Sequence, residues 1–120
     1  RAAEMYLIEA EARARLNETA AASKVLFDLV KARDPNYVQS TRTGDALVNE
    51  ILLQRRIELW GEGHRFFDAK RRNLPIIRLA VDAQNNKTTL ESGNFRFLLP
   101  IPNSEIQANP LMVQNPGYTN

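Results

Sequence analysis

Apolar residues recur at helical spacing through the first 72 residues of the chain. Small and aliphatic side chains repeat every three or four positions in residues 1–16, and the same spacing returns in 19–33 and 46–61. Their members are Ala3, Leu7, Ala10 and Ala14, then Ala22, Leu26, Leu29 and Val30, then Leu47, Val48, Ile51, Leu52 and Leu59. The pattern predicts three amphipathic helices, each with one buried face.

Breaker residues separate these helices. The polar triplet at 17–19 divides the first two, and Pro35 stops the second. Asp45 is a suitable N-cap for the third, and Gly61 and Gly63 favour an end to it because glycine tolerates left-handed backbone. A short fourth helix over 64–72 is expected to bury Phe66 and Phe67. The sequence thus predicts two successive antiparallel helical pairs, which suggests a degenerate tetratricopeptide-like stack.

The chain changes character after residue 73. Residues 76–81 are apolar, 82–94 are a polar loop, and 95–99 are predicted to be extended before two prolines, with one capped turn at 104–107. Such a tail cannot form its own core, so it must pack on the helices. Its expected anchors are Phe95, Phe97, Ile101, Ile106, Leu111 and Val113. We predict one all-α domain over 1–120, helical at 1–72 and loop-rich and extended at 73–120, with little strand.

Composition limits the possible functions. The 120 residues are 43% hydrophobic, enough for one modest core. A net charge of +2 without a basic block argues against nucleic-acid binding, and there is no cysteine for a disulfide or thiolate site. No apolar run is long enough to span a membrane. The sequence opens inside a helical pattern without a cap, so we expect it to be part of a longer protein.

Candidate chemistry is sparse. His64 is the single histidine, and Asp68 lies four positions later, where a hydrogen-bonded pair is possible on one helix face. A metal site would need further ligands, and no serine lies in a recognisable nucleophile motif. The sequence therefore predicts no catalytic residue, no metal, no cofactor and no enzymatic activity.

Charged residues cluster around the predicted end of the third helix. Arg55 and Glu58 are three positions apart and are expected to form a buried ion pair, while His64 or Arg65 is expected to pair with Asp68. Loss of Glu58 would then cost on the order of 3 kcal/mol. We interpret the cluster as a structural corner. Its members are Arg55, Arg56, Glu58, Gly63, His64, Arg65 and Asp68.

Two aromatic residues are weak candidates for stacking on a sugar. An aromatic face suits the apolar face of a pyranose ring. Trp60 ends an apolar helix and is expected to pack in the core, whereas Tyr37 lies in a polar loop and is the better candidate for an exposed ring.

Four stretches together resemble the C-terminal part of the SusD-like (RagB/SusD) family of outer-membrane lipoproteins from Bacteroidetes. They are RAAEMYLIEAEA at 1–12, ILLQRRIEL at 51–59 continuing through EGHRFFD at 62–68, LPIPNSEI at 99–106, and NPLMVQNPGY at 109–118. The family usually has Glu at the position of Gln54, which removes one acid from the cluster. The match extends over nearly the whole chain.

The resemblance implies a helical scaffold in a protein that captures oligosaccharides or peptides at the cell surface. It also implies a TonB-dependent (SusC-like) outer-membrane transporter as partner and a lipid anchor on an N-terminal cysteine outside this chain. Most glycan contacts of the family lie upstream, so the resemblance makes this region scaffold. The alternative is a tetratricopeptide-type protein interaction module with no glycan role.

Overall fold

Helices dominate the computed structural model, which describes residues 1–79, 81 and 88–118. The helices of these residues are α1 (Ala2–Arg15), α2 (Thr19–Lys31), α3 (Gly44–Glu58), α4 (His64–Arg71) and α5 (Asn103–Ala108), and the strands are β1 (Ile76–Ile77) and β2 (Thr89–Leu90). The all-α class is confirmed. The residues group into two compact units, Arg1–His64 and Arg65–Asn120. A single domain over 1–120 stays a prediction.

The core of the first unit lies among α1, α2 and α3, and each of these helices packs on the other two. The stripes predicted from the sequence are the buried ones, and their largest fully buried side chains are Leu7, Leu26, Leu47 and Ile51. Each such side chain contributes about 1.5–3 kcal/mol through burial. Alanines fill the rest of the α1 stripe, which allows its neighbours to approach closely.

The ends of the helices follow from local backbone preferences. Asn17, which follows the C-cap residue of α1, adopts a left-handed conformation (φ 61°), and the Glu18 amide donates to the Arg13 carbonyl at 2.9 Å. The predicted N-cap at Asp45 is wrong, because α3 begins at Gly44, two residues before the predicted start, and Thr43 takes the extended cap position. Asp45 lies instead in the first turn, where its charge complements the helix dipole.

The second unit contains the small sheet, in which β1 pairs antiparallel with β2 and Ile76 lies opposite Leu90. The extended run predicted at 95–99 is wrong at its start, because Phe95–Phe97 form a 3-10 turn. The Asn94 side chain caps that turn by accepting the Arg96 amide at 3.0 Å. The capped turn predicted near 104–107 is part of α5. Residues 82–87 of the predicted polar loop lie outside the described residues.

Aromatic packing holds the tail to α4 within the second unit. The rings of Phe66 and Phe97 lie 5.5 Å apart, and Phe97 is buried. Phe67 was expected to be buried with Phe66 but is exposed; the buried residues of α4 are Asp68 and Ala69. Three of the expected tail anchors, Phe95, Leu111 and Val113, are also exposed.

Among the described residues, no helix combines the length and apolar content needed to cross a lipid bilayer.

Candidate functional site

Arg55 is the buried centre of the predicted corner. Its Nη2 lies 3.2 Å from the Glu4 Oε1 in the first turn of α1, and 3.4 Å from the His64 Nδ1. The same Glu4 oxygen is 3.7 Å from the His64 ring. A buried guanidinium needs charge compensation, and these contacts provide part of it from residues far apart in sequence. The arrangement holds α1, α3 and His64 together within the first unit.

Glu58 pairs with a different arginine from the one predicted. The Arg33 Nη2 donates to Glu58 Oε1 at 2.8 Å, and the Arg33 Nε donates to Glu58 Oε2 at 3.1 Å. The prediction that Glu58 pairs with Arg55 is therefore wrong. Hydrogen bonding from Arg33 lowers the pKa of Glu58, although partial burial opposes the shift. The pair joins the ends of α2 and α3.

The remaining corner residues divide between surface and interior. Arg56 and Arg65 are exposed, and Gly63 has a left-handed backbone (φ 80°). Asp68 is buried and accepts from the Arg71 Nε at 2.9 Å. Arg71, which the sequence analysis did not identify as a partner, lies at the favourable i+3 position. His64, by contrast, contacts Glu4 and Arg55 in the first unit.

The two aromatic candidates have the opposite environments to those expected. Trp60 is 85% exposed, because α3 ends at Glu58 and the indole lies beyond the buried stripe. Tyr37 is half-buried against Phe27, with ring centroids 6.3 Å apart, and its hydroxyl donates to Glu50 at 2.8 Å. Burial, assisted by this hydrogen bond, raises the pKa of Tyr37. Trp60 therefore presents a free aromatic face, and Tyr37 does not.

A hydrogen-bonded lock forms where the two C-terminal motifs meet. The Gln114 side chain both accepts from the Ile101 amide at 2.8 Å and donates to the Ile101 carbonyl at 2.9 Å. Asn115 donates to the Leu99 carbonyl, and the Tyr118 hydroxyl donates to the Leu98 carbonyl at 3.0 Å. These side chains supply the backbone of residues 98–101 with hydrogen bonds that a neighbouring strand would provide in a sheet.

Gly117 packs its backbone against the Phe95 ring beside these hydrogen bonds. Its backbone is left-handed (φ 89°), and a Cβ at this position would lie 2.5 Å from the Phe95 ring. The Phe95 ring also meets Tyr118 edge-on at 4.9 Å. The sequence indicated Phe95 as a tail anchor but not Gly117 or Tyr118 as its neighbours, because these contacts join residues more than twenty positions apart.

A cavity of about 370 Å³ opens in the second unit. Its walls come from the last turn of α4 and from the segment that contains the 3-10 turn. The lining residues are Ala69, Lys70, Asn73, Gly93, Asn94, Phe95, Phe97 and Leu98. No sequence motif indicated this cavity, since its two walls are about twenty residues apart in the chain. Apolar walls with a few polar groups are typical of small-molecule sites.

No group of three or more His, Cys, Asp or Glu residues is placed to hold a metal ion in the part of the chain that the structure describes.

Comparison with known proteins identifies the family. The sequence model of the SusD family matches residues 1–118. SusD-like protein P2 of Formosa agariphila is 34% identical over 130 residues, an alignment that covers 98% of this chain and 25% of that protein. The crystal structure of a SusD superfamily protein from Bacteroides vulgatus superimposes with a TM-score of 0.82 at 33% identity, covering 98% of this chain and 27% of the other. The chain thus spans about a quarter of the length of these relatives. It belongs to the SusD family.

Proposed function

We propose that this chain is the scaffold portion of a cell-surface protein that binds glycan nutrients. In this proposal it works with a TonB-dependent, SusC-like transporter of the outer membrane, and the full gene product is held there by a lipid on an N-terminal cysteine. The observation that supports the proposal best is the family match over residues 1–118.

The scaffold role rests on how the motif residues are used. Arg55 contacts Glu4 and His64, and Gln114 contacts Ile101. These side chains hold one part of the chain to another, so they are not available to a ligand. Tyr37 is engaged in the same way by Glu50. Among the two aromatic candidates, Trp60 alone offers an exposed face for a sugar ring.

Titration calorimetry with a panel of neutral oligosaccharides tests the proposal. We expect the full gene product to bind at least one of them, and the 120-residue chain to bind the same one weakly or not at all. Equal affinity in both would place the principal site within these residues and contradict the scaffold role. Trp60→Ala would then be the first variant to examine, with Tyr6→Ala as the control.

The partnership requires a separate experiment in cells. An affinity-tagged gene product is expected to reach the cell surface, where added protease degrades it, and to co-purify with a TonB-dependent transporter from outer membranes. A protein that binds no saccharide and co-purifies only with proteins unrelated to transport would instead be a tetratricopeptide-type interaction module, and the proposal would be wrong.

A further inference from the structure

We propose that the cavity of the second unit binds an acidic sugar residue, such as a hexuronate unit of an acidic polysaccharide. This inference rests on the proposed glycan role and adds a charge preference to it. The site is separate from the principal glycan surface, which the scaffold proposal places outside these residues.

The size and walls of the cavity suit a single sugar ring. Its volume of about 370 Å³ falls within the range of small-ligand sites and exceeds the space that one pyranose ring fills. By contrast, a second cleft beside Arg33 and Glu58 measures only about 40 Å³ and cannot accept a ring. Phe95, Phe97 and Leu98 provide apolar wall, which matches the apolar face of a sugar.

Two carboxamides provide hydrogen-bonding groups for sugar hydroxyls. Asn73 and Asn94 lie on the two walls of the cavity. The Asn94 Oδ1 is held by the Arg96 amide at 3.0 Å, which fixes the orientation of the carboxamide. Its NH₂ group has no acceptor among the described residues, so it is available as a donor. Asparagine side chains offer both donors and acceptors, which is the combination that hydroxyl-rich ligands require.

Charge favours an anion over a neutral sugar. Lys70 is the charged residue among the described cavity-lining residues, and no carboxylate lines the cavity with it. Neighbouring Arg71 is compensated by Asp68, whereas Lys70 is exposed. The second unit has seven Lys and Arg against four Asp and Glu, a formal +3, while the first unit has nine against ten, a formal −1. The excess positive charge of the chain therefore lies in the unit that contains the cavity.

Titration of the 120-residue chain, followed by amide NMR, tests the site. The probes are methyl β-glucuronide, its uncharged methyl ester and sodium acetate. We expect saturable shifts from the glucuronide, concentrated at residues 69–73 and 93–98, with the ester and acetate each binding at least about threefold more weakly. Equal shifts from acetate would mean simple anion attraction, and equal shifts from the ester would mean no charge preference. Either result overturns the inference, as do shifts confined to other residues.

Substitution of Lys70 tests whether its ammonium group causes the preference for an acidic sugar. Lys70→Gln is expected to weaken glucuronide binding about threefold to fivefold, as for loss of one exposed ion pair, and to leave ester binding unchanged. Lys24→Gln is the matched control, because Lys24 is also exposed on a helix but lies in the first unit. Unchanged glucuronide affinity in Lys70→Gln, with the amide spectrum still that of a folded chain, would contradict the inference.

The two proposals fail separately. If the full gene product binds neutral glycans while Lys70→Gln keeps its glucuronide affinity, only the acidic-sugar inference is wrong. If the full gene product binds neither neutral nor acidic saccharides, both proposals are wrong.

Discussion

Gln114 and Ile101 form a closed ring of two hydrogen bonds, in which one side chain pairs with both polar groups of one backbone residue. The Ile101 amide donates to the Gln114 Oε1 at 2.8 Å, and the Gln114 Nε2 donates to the Ile101 carbonyl at 2.9 Å. The same Oε1 accepts the Asn115 amide at 2.8 Å. Because Ile101 lies between two prolines, it has few alternative partners in a β-ladder, and the Gln114 side chain takes their place.

Gln114→Met should destabilise the second unit by about 2 kcal/mol, because methionine keeps the size of the side chain but leaves three backbone groups without their partner. Hydrogen exchange at the Ile101 amide should accelerate in parallel. Gln107→Met is the control, since Gln107 is exposed on α5. Equal melting temperatures for the two variants would show that water replaces the hydrogen bonds of Gln114 without loss of stability.

Glu58→Gln should lower the free energy of unfolding by about 1 kcal/mol at pH 7, less than a fully buried pair would cost, because the Arg33 side chain is 62% exposed. The effect should depend on pH. Arg33 lowers the pKa of Glu58 below its ordinary value of 4.5, so the pair stabilises the fold above that pH and loses its effect as the pH falls through the lowered pKa.

Denaturant titrations of wild type and Glu58→Gln between pH 7 and pH 3 measure this difference. The two curves should converge in acid. Glu91→Gln, at an exposed position, controls for a general change of charge. A gap of constant size across the whole range would mean that the carboxylate charge of Glu58 is not what stabilises the pair.

Tyr37→Phe should cost about 2 kcal/mol, because it removes a hydrogen bond to a carboxylate at the edge of the core. Burial raises the pKa of Tyr37 above its ordinary value of 10.0, so the folded state favours the protonated phenol. Its contribution is complete below pH 10.0 and declines as the pH rises through the raised pKa. Thermal melts at neutral pH measure the cost.

Tyrosinate absorbance gives an independent check on Tyr37. Tyr37→Phe should leave the absorbance change near pH 10 unaltered while the protein stays folded, because the raised pKa of Tyr37 keeps its phenol protonated at that pH. Tyr6→Phe, at an exposed position of α1, is the control for stability and should cost less than about 0.5 kcal/mol. A loss of amplitude near pH 10 in Tyr37→Phe would contradict the buried hydrogen bond.

Gly117→Ala should destabilise the protein more than Gly61→Ala does. Both glycines have left-handed backbone, so each variant pays about 1 kcal/mol of conformational strain. A Cβ at Gly61 meets nothing within 4 Å, whereas a Cβ at Gly117 would lie 2.5 Å from the Phe95 ring. The difference between the two melting temperatures therefore isolates the clash. Its absence would mean that the ring moves aside freely.

The sequence predicted best what depends on regular spacing. The stripes that contain Leu7, Leu26 and Ile51 are buried as expected, because helical periodicity places them on one face whatever the tertiary contacts are. Helix ends were less certain, and an error of three residues at the end of α3 was enough to reverse the environment expected for Trp60.

Contacts between distant positions were beyond local reasoning. Nothing near Arg55 in sequence indicates Glu4, which is 51 positions away, as its partner. Tyr37 looked free because the residue that holds it, Glu50, lies on the next helix. The cavity was missed for the same reason, since the last turn of α4 and residues 93–98 become neighbours only in the folded chain.

The contact between Glu4 and Arg55 imposes an order on assembly during protein synthesis. Helices α1 and α2 can pair as soon as both have left the ribosome, because their contacts are close in sequence. Glu4, however, remains solvated until α3 has emerged, because its partner Arg55 lies on that helix. When α1 and α2 have emerged from the ribosome and α3 has not, the buried face of α1 lacks the α3 side chains that complete its core. It is at this stage that a chaperone, or a second nascent chain, has access to that face.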